Sequence, residues 1–182
     1  VFHGTRSKFS KFSKEKVRSG AMVGTGFYFA EDKRIADNFS EDQGEGGEAN
    51  IMPCYLNIRN PFDYDSQVSM KDLAKWATVA GKITDKPFDQ QKFIKEVKKR
   101  RQEGADTNAN DKISGHDAWN SLAKVIGIDK VNDVLAAMGY DGVTHIAQDK
   151  AGTPRHQDFQ GEGFGRVWIA FEPNQIKSTT NK

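Results

Sequence analysis

Strand-like apolar runs sit at the two ends of this 182-residue chain, and helical periodicity fills the stretch between them. Val1-Phe2-His3, Gly26-Phe27-Tyr28-Phe29 and Met52 to Ile58 lie in the opening region, the last of them closed by a turn at Asn60-Pro61. Gly142-Val143-Thr144-His145-Ile146 and Val167-Trp168-Ile169-Ala170-Phe171 lie near the end, and the second of these is the clearest strand in the sequence. Residues 65–138 read as mainly helical. Strands at both ends with helices between them specify an α+β fold.

The helical readings rest on periodicity. Glu31 to Ser40 places Ile35, Ala36 and Phe39 on one face. Ser69 is a candidate cap for a helix that carries Leu73, Trp76 and Ala77 on one side. Lys92 to Arg101 turns Phe93, Ile94 and Val97 inward and Lys95, Lys98, Lys99, Arg100 and Arg101 outward. Residues 103–115 read as a polar loop. Asp117 to Ile126 and Asp129 to Met138 follow as two consecutive helices, with Gly139 as terminator. The glycine-bearing stretch from Gln148 to Gly165 reads as a long loop, a kind of segment that is often functional.

Composition narrows the function classes only a little. The length fits one domain, residues 1–182, with a mainly helical insert at about 65–138. With 36% apolar and 29% charged residues, the chain is a polar globular type rather than a disordered one. A net charge of +2 neither demands nucleic acid nor forbids it. The basic face from Lys95 to Arg101 suits phosphate contact, but such faces are more often simply solvated. Cys54 is the single cysteine, so no intramolecular disulfide forms. Its apolar neighbours mark it as a buried thiol rather than a nucleophile. His116, His145 and His156 are too scattered for metal-ligand spacing, and no metal is expected. No apolar run approaches the roughly 18 residues of a membrane span. The start at Val1 rather than Met is compatible with a piece of a longer protein.

Two short clusters carry chemistry. In Phe2-His3-Gly4-Thr5 an apolar residue leads into His, Gly and Thr, which offer directed hydrogen bonds and a closely approachable backbone. In Gly24-Thr25-Gly26-Phe27-Tyr28-Phe29-Ala30, strand alternation sets Phe27 and Phe29 on one face and Tyr28 on the other. A tyrosine opposite two core phenylalanines and beside open glycines is placed to stack on a flat heteroaromatic ligand. Gly24-x-Gly26 lacks the strand–G-x-G-x-x-G–helix context of a dinucleotide fingerprint, so no Rossmann-type site is indicated.

Taken in order, F-H-G-T, then Phe9 and Phe12, then G-x-G-F-Y-F-A resemble the diphtheria-toxin and poly(ADP-ribose) polymerase branch of the ADP-ribosyltransferases. The chain looks most similar to the bacterial and phage forms found in polyvalent proteins and polymorphic toxins. The proline-led run Pro53 to Pro61, the Gly-Tyr-Asp-Gly of 139–142 and the Asn-Gln-Ile-Lys-Ser of 174–178 extend the resemblance to nearly the whole chain. It implies split sheets around an NAD cleft. It also implies NAD as the substrate, with His3 on a hydroxyl of the adenosine ribose and the Gly4 backbone on the nicotinamide carboxamide. Thr5 and Arg6 would lie near the ribose and diphosphate. Tyr28 would stack on the nicotinamide, with Phe39 closing the other side, unless Ala36 and Phe39 simply form a helical core face.

The sequence departs from this family at one telling place. The glutamate that opens the last core strand in the family aligns with Val167, beside Arg166. Either Glu162, in Gln160-Gly161-Glu162, supplies the acid from the preceding loop, or the site lacks its glutamate. The resemblance implies a mono-ADP-ribosyltransferase, with Glu162, Tyr28 and His3 as catalytic residues, acting as a toxin, defence factor or phage modifier of its host. The alternatives are an NAD glycohydrolase and a non-catalytic module that binds NAD or ADP-ribose. The implied partners are a macromolecular acceptor (protein, RNA or DNA) and an antitoxin or fused domains outside this sequence. No membrane is implied. The implied setting is the cytoplasm of a bacterial or host cell, reached by synthesis or by delivery from a phage or toxin system.

Overall fold

The structure is a computed structural model that describes residues 1–17, 21–41, 49–84, 87–103, 112–147 and 165–179, without the side chains of Asn38, Phe39, Glu41 and Glu103. The strands expected at the two ends of the chain meet in one seven-stranded sheet. In chain order they are β1 (Phe2–Thr5), β2 (Phe27–Ala30), β3 (Asn50–Leu56), β4 (Pro61–Asp63), β7 (Gly142–Ala147), β8 (Gly165–Ala170) and β9 (Ile176–Ser178). Their order across the sheet is β4-β7-β8-β2-β1-β3-β9, with β4 parallel to β7 and every other pair antiparallel. Helix α1 (Lys33–Glu41) follows β2 and lies on β1. The architecture is α+β, as the sequence reading requires.

Among the described residues, the middle of the chain holds four α-helices and a detail that periodicity does not reveal. These helices are α2 (Met70–Ile83), α3 (Gln90–Glu103), α4 (Gly115–Ile126) and α5 (Val131–Ala137). Two short strands, β5 (Gln67–Ser69) and β6 (Lys112–Ser114), pair within this region, so residues 112–115 are strand and helix start rather than loop. Each strand ends in a serine that caps the following helix. Ser69 accepts from the Asp72 backbone N–H at 3.1 Å, and Ser114 accepts from that of Asp117 at 3.0 Å. In both, the serine hydroxyl also donates to the aspartate carboxylate, at 2.6 and 2.8 Å.

The core lies mostly between the helices and one face of the sheet. Leu73, Trp76, Trp119, Leu122, Val134 and Leu135 pack there with Phe62, Val143, Val167 and Ile169. A smaller cluster on the other face joins Phe27, Phe29, Cys54 and Ala170. Cys54 is buried, and burial pushes its thiol pKa up, away from nucleophile behaviour. One inward assignment is corrected. On α3, Phe93 and Val97 are buried, but Ile94, 100° round the helix from Phe93, is 41% exposed.

Candidate functional site

The sheet has a seam. β1 shares four Cα pairs with β3, and β2 shares four with β8, yet β1 and β2 share only Phe2 opposite Ala30. Beyond that pair no ladder pairing joins β1 to β2 among the described residues. Val1 and Cys54 exchange both backbone hydrogen bonds, at 3.1 and 2.8 Å, which fixes the ladder alternation between β1 and β3. Two residues on, His3 is again directed at β3. Gly4 therefore turns its N–H and C=O the other way, toward β2 and the seam.

His3 bridges this seam through its side chain. Its Nδ1 lies 2.8 Å from the Tyr28 carbonyl oxygen. A carbonyl only accepts, so Nδ1 carries the proton, and Nε2 of the neutral ring is left as an acceptor. Burial lowers the His3 pKa, against the opposing effect of the Tyr28 carbonyl, which favours that neutral form. Phe12, Phe29 and Phe9 surround the imidazole, with ring centroids at 5.1, 5.4 and 6.0 Å. Phe9 and Phe12 are thus the apolar wall that dries and orients His3. A ligand hydroxyl donating to Nε2 is the contact this arrangement offers.

Tyr28 stands on the opposite face of β2 from the buried Phe27 and Phe29, as alternation requires. Its ring is half-buried and its hydroxyl is fixed at both ends. The hydroxyl donates to the Gly24 carbonyl at 2.7 Å and accepts from the Val23 N–H at 3.2 Å. Burial pushes its pKa far above the ordinary tyrosine value, so it stays neutral and serves as a structural clasp. The loop it clasps turns at Gly24, whose φ of 81° lies in the left-handed region.

A residue that sequence reasoning missed holds the other side of this loop. Asn132, buried on α5, donates from Nδ2 to the carbonyls of Val23 at 3.0 Å and Thr25 at 2.9 Å. Its Oδ1 faces the indole N–H of Trp119 on α4, at 3.4 Å. The helical layer is therefore tied directly to the loop that carries Tyr28. A polar residue at a buried position of an apolar helix is the one signal that could have pointed to it.

Gly4 has a second reason to be glycine. A Cβ there would lie 1.8 Å from the Ala36 carbonyl oxygen, so the backbone of α1 occupies the space a side chain would need. Ala36 itself is buried in the core. Thr5 is buried, and its hydroxyl accepts from the Ser7 N–H at 3.1 Å, closing the turn after β1. Arg6 donates from Nε to the Ser40 carbonyl near the end of α1, at 2.9 Å. His3 and Gly4 on β1 and Tyr28 on β2 thus border the seam, the His3 ring on the Phe29 face of the sheet and the Tyr28 ring on the opposite one, while Thr5 and Arg6 hold the turn that follows β1.

At the position aligned with a family glutamate, Val167 is fully buried in the core opposite Ala30 and His145. Arg166 points to the other face, where Nη1 donates to Thr144 Oγ1 at 3.3 Å and lies 3.9 Å from the Asp63 carboxylate. Glu162 lies outside the described residues, as does the side chain of Phe39. Among the described residues no group of His, Cys, Asp and Glu is placed to hold a metal ion, and no helix is long and apolar enough to cross a membrane.

No curated protein and no solved structure matches the chain. The family described as ADP-ribosyltransferase in polyvalent proteins matches it over residues 1–182. That match spans the whole sequence given, and the α+β architecture is consistent with it: the chain belongs to the ADP-ribosyltransferases of polyvalent proteins.

Proposed function

We propose that the chain is one catalytic domain that binds NAD in the seam between β1 and β2 and transfers a single ADP-ribose to a macromolecule. The observation that carries this reading is the pairing of His3 and Tyr28 across the seam, with the polar backbone atoms of Gly4 directed into it. His3 Nε2 accepts from a ribose hydroxyl, the Gly4 backbone holds the carboxamide, and Tyr28 and Phe39 flank the nicotinamide ring. Thr5 and Arg6 border the ribose and diphosphate. The bond from the ribose to nicotinamide breaks, nicotinamide leaves as a neutral molecule, and a nucleophilic atom of the acceptor bonds the ribose in its place. Positive charge gathers on the ribose as that bond breaks, so the protein's task is binding plus a nearby negative group. Glu162 is the residue proposed for that group. With no glutamate at 167, chain elongation is not expected.

A second reading has its own observation. Val167 is sealed in the core and offers the site nothing, which favours a module that holds NAD without chemistry. One experiment separates the readings: the protein is incubated with labelled NAD, with and without cell lysate, while bound label and free nicotinamide are followed. Label on protein or nucleic acid supports transfer. Nicotinamide release alone indicates a glycohydrolase, and NAD binding with neither product indicates the silent module. Full transfer activity in Glu162→Gln would remove Glu162 from the mechanism. The setting proposed is a phage or toxin system acting on a host, with an antitoxin or fused domains outside this sequence.

A further inference from the structure

α3 concentrates the chain's positive charge. Its fourteen residues include six basic ones (Lys92, Lys95, Lys98, Lys99, Arg100 and Arg101) and two acidic ones, Glu96 and Glu103, a balance of +4. The whole chain carries +2, so everything outside α3 nets −2. An even scatter of solvating charge would not produce that contrast.

The charge is also sorted around the helix. Phe93 and Val97 are buried and define the inner face. Arg100 leans from that side toward α4, where Nη1 lies 3.8 Å from the Asp117 carboxylate. At 100° per residue, the arc opposite runs through Lys98, Gln91, Gln102, Lys95, Lys99 and Lys92, and no carboxylate falls within it. Gln91, Ile94, Lys95, Lys98, Lys99 and Gln102 line a shallow open groove along this face. Among the described residues no carboxylate pairs with Lys92, Lys95 or Lys98.

The make-up of the face selects its partner. Insertion into a membrane surface uses bulky apolar residues beside the lysines, and Ile94 is the one large apolar side chain lining the groove. An acidic protein would require aromatic or arginine anchors for a buried centre, and the groove has none. The same lack of aromatic rings argues against stacking on unpaired bases. What is left is a row of point charges flanked by glutamine amides, which suits regularly spaced phosphates. We propose that the outward face of α3 docks the phosphodiester backbone of a double-stranded nucleic acid, by shape and charge rather than by sequence. That the docked nucleic acid is also the ADP-ribose acceptor rests on the reading of the site above; the docking itself does not.

The test is done without NAD, so its failure is distinct from failure of the transferase reading. Fluorescence anisotropy of labelled duplex RNA and duplex DNA is measured against the full chain over a range of salt. Anionic phospholipid vesicles and polyglutamate serve as competitors. Binding is expected to weaken with salt, each lysine–phosphate contact adding about 0.9 to the logarithmic slope, so four contacts give roughly 3 to 4. The double variant Lys95→Glu/Lys98→Glu should lose at least about tenfold in affinity and about 2 in slope. It should keep the wild-type melting temperature and NAD affinity. Absence of duplex binding, duplex binding unchanged in the double variant, or tighter capture by vesicles or polyglutamate would each overturn the proposal.

Discussion

The Nδ1 of His3 sits 2.8 Å from the carbonyl oxygen of Tyr28, so past the Phe2–Ala30 pair a side chain rather than a ladder hydrogen bond joins β1 to β2. This contact orders two residues at once. It sets the tautomer of the imidazole and holds the Tyr28 backbone beside β1. Replacing His3 with Ala should remove the Nε2 acceptor and weaken NAD binding by about 1 kcal/mol, roughly five- to tenfold, by isothermal titration. His3→Asn, which restores one polar contact, should recover part of that loss. Equal affinities in all three proteins would show that the ring does not touch the ligand.

Asn132 links the helical layer to the loop that clasps Tyr28, through two donors to Val23 and Thr25. Asn132→Asp keeps the size but turns a carboxylate toward two carbonyls, which should cost at least about 2 kcal/mol of stability. Leu122→Ala, a cavity in the same layer, should cost a similar 2–5 kcal/mol. Thermal melts matched with NAD titrations separate the two. The account expects weaker NAD binding in Asn132→Asp and wild-type affinity in Leu122→Ala. The reverse pattern would deny Asn132 a role in positioning the loop.

Gly4→Ala is expected to fail structurally. Its Cβ would fall 1.8 Å from the main-chain oxygen of Ala36, and main chain cannot swing aside as a side chain can. Strand or helix must shift, at about 3 kcal/mol or more. Urea unfolding of the variant reads this directly; a midpoint equal to that of the wild type would contradict the packing described for α1 and β1.

Acid should destabilise the fold through its buried histidines. Burial lowers the pKa of both His3 and His145 below 6.5, so near that pH the unfolded chain binds protons that the folded chain does not. The stability from keeping these rings neutral is complete above about pH 6.5 and is lost as pH falls toward the folded pKa values. Denaturant midpoints measured at stepped pH should decline below that point. The double variant His3→Gln/His145→Gln should decline less steeply, and parallel curves would assign the acid sensitivity to other groups.

Much of this site was legible in the sequence because it depends on local rules. Alternation put Tyr28 opposite Phe27 and Phe29, and Ser69 ahead of the Leu73, Trp76 and Ala77 face marked the start of α2. The seam was not legible, since it arises where β1 and β2 stop pairing after Phe2 and Ala30, a property of two strands together. Asn132 was hidden for the same reason: its partners lie more than a hundred residues away. Periodicity placed Ile94 inward because it resolves a helix face only to within a residue or so. β5 and β6, at three residues each, are too short to show alternation within a helical region. Gly4 was read as a backbone open to a ligand, and only packing revealed that α1 fills the side its Cβ would take.

The central claim is that NAD sits in the seam against the ring of Tyr28. Isothermal titration with NAD of the wild type, Tyr28→Phe and Tyr28→Ala tests it, with circular dichroism confirming that each is folded. Tyr28→Phe keeps the ring and loses only the clasp to Gly24 and Val23, so it should bind within a few-fold of the wild type. Tyr28→Ala should show no measurable binding. A folded Tyr28→Ala protein with wild-type affinity for NAD would contradict the account.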